Sequence, residues 1–164
     1  MFSKFLVRDL VLTTVVVIGW WLGWQRSVGD GPLADLSGVL LGLGGGVVAF
    51  VGHEWGHLLG AFATGSHVVA PPKLASPFLF SFDSKRNTQM QFLLMSLSGF
   101  AVTGIAIYVA YGLLPAEALA TRVTRGVVVF SASLTLLLEV PLLTISLLKG
   151  SILQQAEVFP ADRA

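Results

Sequence analysis

One short run, His53-Glu54-Trp55-Gly56-His57, has the residue types and the spacing of a metal-dependent hydrolytic site. On a helix, residues four apart share a face, so the two imidazoles can reach one cation. Glu54 lies next to the first histidine and can reach a water on that cation without ligating it. Zinc is the expected ion, because it is held by imidazole and carboxylate and acidifies the water it binds. Glu54 would take that water's proton, the hydroxide would attack a peptide carbonyl, and the proton would return to the leaving amine. His53 and His57 are therefore the candidate ligands and Glu54 the candidate catalytic base.

Two of the chain's three histidines and one of its four glutamates fall together inside an apolar stretch. Ionisable groups in such a stretch are costly and mark functional sites, although a polar cluster bonding neighbouring helices is the competing reading. Two histidines need a third protein ligand. Asp9, Asp30, Asp35 and Asp162 sit near helix ends or in polar segments, whereas Glu139 lies inside Leu136-Leu137-Leu138-Glu139-Val140-Pro141. At about 1.5 Å per residue, His57 lies roughly 12 Å and His53 roughly 18 Å in from Gly65, and Glu139 roughly 15 Å in from Lys149 on the same side. Glu139 is thus the expected third ligand, with a protonated lone glutamate as the alternative. Pro141 cannot donate to the Leu137 carbonyl, so a kink is expected just past Glu139.

The elements that must carry these groups are strongly apolar. Of 164 residues, 54% are hydrophobic and 12% charged, and the mean hydropathy is +0.81. Soluble domains carry about 25% charged residues, so this composition points to the bilayer. A net charge of +1 offers no basic footprint for nucleic acid, and the absence of cysteine excludes disulfides and thiolate ligands. The reading is an all-α membrane protein, a single integral domain over 1–164. Four transmembrane helices are expected at about 10–24, 37–64, 90–114 and 127–148, with a β-prone loop at 66–89. The first helix is read as uncleaved, since it ends in Trp20, Trp21 and Trp24, residues of the membrane interface.

Asp35 or Ser37 is expected to cap the second helix and Gly65 to end it. Gly38, Gly42 and Gly46 form a stripe for close helix packing. In the loop, Phe78, Phe80 and Phe82 alternate as in a strand. Val68-Val69 and Phe78 to Phe82 are expected to form a short membrane-associated β-hairpin between helices 2 and 3. Its free edge could pair with an extended peptide, the competing reading being an aromatic segment at the interface. Lys4, Arg8, Lys73, Lys85, Arg86, Lys149 and Arg163 would share one side, against Arg26, Arg122 and Arg125 on the other. The excess puts both termini in the cytoplasm.

With these residues in view, the chain resembles the site-2 protease family of intramembrane zinc metalloproteases (peptidase family M50). The resemblance covers most of segments two to four. HEWGHLLGAFATGSHVV at 53–69 is similar to that family's HExGH helix and following turn. Ser98-Gly99-Phe100-Ala101-Val102-Thr103 sits where the family often has Gly-Pro-x-x-Asn, with Phe100 in the place of the Pro and Thr103 in the place of the Asn. The loop at 66–89 sits where the family places substrate-holding strands. The resemblance implies substrate contacts at Phe78, Phe80, Phe82 and Thr103. The family's third ligand is an Asp in Leu-Asp-Gly; Leu138-Glu139-Val140 is the positional counterpart, whereas Leu148-Lys149-Gly150 offers no ligand.

The expected function is hydrolysis of peptide bonds in membrane-embedded or membrane-proximal substrates, with Zn²⁺ as cofactor. The expected setting is a bacterial inner membrane, with the lipid bilayer and a transmembrane protein substrate as partners and no nucleic acid. A non-catalytic subunit of a larger membrane complex is the alternative, and a small transporter with a buried Glu/His relay is a third reading.

Overall fold

The computed structural model describes residues 2–152; Asp162 and Arg163, named above, lie outside the described residues. The chain is mostly helical. Four helical stretches are long and apolar enough to cross a membrane: Ser3–Ser27, Pro32–Ala63, Gln89–Leu113 and Leu119–Lys149. They comprise α1 (Ser3–Ser27), α2 (Pro32–Ala63), α3 (Gln89–Tyr108) with a π turn at Val109–Leu113, and α4 (Leu119–Leu134), which passes through a π turn at Thr135–Glu139 into α5 (Val140–Lys149). Between α2 and α3, β1 (Val68–Val69) pairs antiparallel with β2 (Ser81–Phe82).

Several boundaries differ from expectation for identifiable reasons. Helix α2 starts at Pro32, so neither Asp35 nor Ser37 caps it. Proline's fixed φ suits the first helical position, and Asp35 falls in the first turn, where the helix dipole favours an acid. Ser37 instead donates to the Leu33 carbonyl one turn back. Gly65 does end α2: its φ is +64°, and the bonds Gly65 N–H to Phe62 O and Ser66 N–H to Ala61 O close a Schellman motif. Helix α4 begins at Leu119, well before Val127. Its polar first turns hold because Arg125 donates to the Ala110 carbonyl at 2.8 Å and the Leu114 carbonyl at 3.0 Å, and Thr124 to the Gly42 carbonyl at 3.1 Å.

The second strand is shorter than expected. Only Ser81 and Phe82 pair, opposite Val69 and Val68, and Phe78 to Phe80 stay outside the ladder. Leu79, Phe80, Ser81 and Phe82 are all buried, so this run has no alternating exposed face. Asn87 closes the hairpin, accepting from His67 N–H and donating to the His67 carbonyl, both at 2.7 Å.

The described residues form two compact units, one of 2–6, 53–102 and 134–152, the other of 7–52 and 103–133. The first has a core of Leu58, Ala61, Leu79, Phe80, Phe82, Phe92, Met95 and Leu143. Within it α2 and α3 approach closely: a Cβ on Gly56 would lie 2.7 Å from Val102, and one on Gly60 2.7 Å from the Ser98 Cβ. In the second unit the glycine stripe packs on α4. A Cβ on Gly38 would lie 2.8 Å from Leu119 and one on Gly42 2.7 Å from the Ala120 carbonyl. Only glycine allows these separations, as expected for helices that gain nothing from burying apolar surface against each other in lipid.

Candidate metal centre

The site is built within the first unit. Helix α2 projects His53 and His57 from one face, both buried. The Nδ1 of His53 lies 3.2 Å from the Gly99 carbonyl and that of His57 3.0 Å from the Met95 carbonyl. A carbonyl oxygen can only accept, so each Nδ1 carries the proton and donates it. In the neutral ring each Nε2 then carries a lone pair.

Those lone pairs converge. The two Nε2 atoms are 3.0 Å apart. Glu139 sets one oxygen 3.1 Å from His57 Nε2 and the other 3.3 Å from His53 Nε2. Three acceptors this close repel unless positive charge, a proton or a metal ion, sits among them. Two nitrogens on one tetrahedral zinc at about 2.05 Å stand about 3.3 Å apart, near the separation here. The ligand atoms of His53, His57 and Glu139 all lie within 4.8 Å of one another, and this group could hold a metal ion. A His₂Glu set suits zinc and matches a site that keeps a position open.

Three local features set this geometry. A Cβ at residue 99 would run into the His57 ring, so glycine is required for the ring to lie against α3. The π turn ends at Glu139, where a helix continuing toward Pro141 cannot form the regular bond from residue 141 to Leu137. The irregularity here is a wide turn that ends at Glu139, and the helix from Val140 onward is regular. Thr135, one π turn earlier, donates to Glu139 Oε1 at 3.3 Å.

Glu54 is buried beside His53 but outside the ligand group. Its Oε2 accepts from the Leu79 N–H at 3.2 Å. The loop therefore reaches the candidate base through backbone at Leu79. Phe80 and Phe82 are buried in the core of this unit, whereas Phe78 is 38% exposed, so the three rings do not present one common face. Thr103 is a half-buried residue of α3 in the second unit.

The contributions that residue types signal least are the carbonyls of Met95 and Gly99 and the N–H of Leu79, all backbone atoms. Thr135 was visible as a hydroxyl four residues before Glu139 in an apolar run. No family model, curated protein or solved structure matches the chain.

Proposed function

We propose that this protein is a membrane-embedded zinc metallopeptidase, a divergent relative of the site-2 protease family, acting on transmembrane or membrane-proximal peptides. One observation carries the reading. Two imidazoles with tautomers set by backbone carbonyls converge with Glu139, while a second carboxylate, Glu54, stands beside them outside the ligand group.

His53, His57 and Glu139 would hold the ion. Zinc bound there would supply Lewis acidity toward water and toward a carbonyl oxygen. The chain's own residues do the rest. The Met95 and Gly99 carbonyls hold both rings in the tautomer that presents Nε2. The Leu79 N–H occupies Oε2 of Glu54 and leaves Oε1 to accept a proton from the attacking water and return it to the departing amine. Four helices long and apolar enough to cross a membrane support a bilayer setting, and the lysine and arginine bias supports cytoplasmic termini.

The test pairs metal content with cleavage. Purified protein and its Glu54→Gln variant are assayed for zinc by mass spectrometry. Membranes carrying each are then compared for new peptide termini within apolar segments. One zinc per chain in both, with termini confined to the wild type, is expected. Absence of zinc from the wild type sinks the reading; zinc in both without cleavage turns it into the accessory-subunit alternative.

A further inference from the structure

We propose that Thr135 is a positioning residue that aims Glu139 at the two histidines. The inference rests on the zinc-site reading and goes beyond it, because Thr135 touches neither ion nor peptide in that scheme.

Helical hydroxyls usually turn back to the carbonyl one turn earlier. Ser37, Ser98, Ser133 and Thr144 do so here, each bonding the carbonyl four residues before it. Thr135 instead donates forward, to Oε1 of Glu139, which is the oxygen facing His53. The pair spans the π turn at Thr135–Glu139. Residues four apart on a helix are neighbours, so a short hydroxyl can meet a carboxylate across this turn.

The contact also has a physical task. Thr135 is 7% exposed, whereas the Glu139 side chain is 37% exposed. Its neighbours Leu136, Leu137 and Leu138 are all exposed. A glutamate free to change rotamer loses entropy when it is held at a metal, and a bond that already fixes it lessens that cost. A buried hydroxyl bonded to one oxygen sets the carboxylate plane and leaves both oxygens directed at the imidazoles. Outer partners of this kind are typically worth about 10- to 100-fold in metal affinity.

The test uses the full-length protein in detergent. Zinc affinity is measured by competition with a chromophoric chelator, and cobalt is substituted to read the ligand field. Thr135→Val keeps shape and removes the donor; it should weaken zinc roughly tenfold and alter the cobalt spectrum. Thr135→Ser should restore both. In a Glu139→Ala background, Thr135→Val should change nothing further, since its partner is gone. Helical content is recorded for every variant, and Thr135→Ala replaces Thr135→Val if the latter fails to fold. Wild-type affinity in Thr135→Val, or an equal loss in the Glu139→Ala background, overturns the proposal while leaving the zinc site standing. A wild type that binds no zinc overturns both.

Discussion

Replacing Gly99 by alanine should disable the metal centre without unfolding the protein. A Cβ at 99 would overlap Cε1, Nε2 and Nδ1 of His57, so the ring must leave α3. In the metal-free state it can swing away at modest cost. To bind zinc it must return, against an overpacking penalty of about 1–3 kcal/mol. Displacement also stretches the bond from His57 Nδ1 to the Met95 carbonyl, now 3.0 Å, forfeiting about 1 kcal/mol. Together these amount to about 2–4 kcal/mol, or roughly 30- to 700-fold in affinity. Ligand distances tolerate only about 0.2 Å, so a partial shift of the ring gives no intermediate solution. The assay is chelator competition in detergent with circular dichroism as the fold control. Gly104→Ala serves as the companion variant, since nothing lies within 4 Å of a Cβ there. Zinc affinity within about threefold of wild type in a folded Gly99→Ala would refute the reasoning, because the lost factor is expected to be at least tenfold larger.

Glu54→Gln should retain zinc, since Glu54 is outside the ligand group, and should slow hydrolysis by about 10²- to 10⁴-fold; zinc loss in that variant would reassign Glu54 as a ligand. Glu139→Ala should weaken zinc by more than about 100-fold, the upper end seen for loss of a mere outer partner, and a smaller effect by the same titration would remove Glu139 from the ligand set. Gly42→Val should lower the thermal midpoint in detergent, because its Cβ would lie 2.7 Å from the Ala120 carbonyl. An overpacking cost of about 1–3 kcal/mol is expected there. Gly126→Ala, which meets nothing within 4 Å, should not lower it, and equal losses in the two variants would deny the glycine stripe its packing role.

What the sequence discloses about this site depends on the kind of contact. His53 and His57 are four apart on one helix, so their shared face follows from helical geometry alone. The start of α4 was not legible. Thr124 and Arg125 read as loop residues, and they are helical because distant carbonyls at Gly42, Ala110 and Leu114 accept their protons. The strand at Phe78 to Phe82 was legible only in part. Alternating phenylalanines signal a sheet with one exposed face, but Leu79 and Ser81 are buried as well as Phe80 and Phe82, and packing on both sides overrode the period of two.

Glu139 shows why depth was easier to read than direction. Axial position along a helix changes by about 1.5 Å per residue, so one irregular turn shifts a residue only slightly in depth. Matching Glu139 to the level between His53 and His57 therefore survives the π turn at Thr135–Glu139. Direction around the axis is far more sensitive, because each residue turns an α-helix by about 100° and one residue accommodated in a wide turn redirects everything beyond it. Depth alone could not aim Glu139 at the histidines; a carboxylate at the right level could equally face lipid. The aim depends on the widened turn before Pro141 and on the Thr135 hydroxyl 3.3 Å from Oε1. Both are local to Thr135-Leu136-Leu137-Leu138-Glu139-Val140-Pro141, so the information is present in the sequence. It lies in a proline two residues after an acid and a hydroxyl four before it, a combination whose geometric meaning requires the backbone.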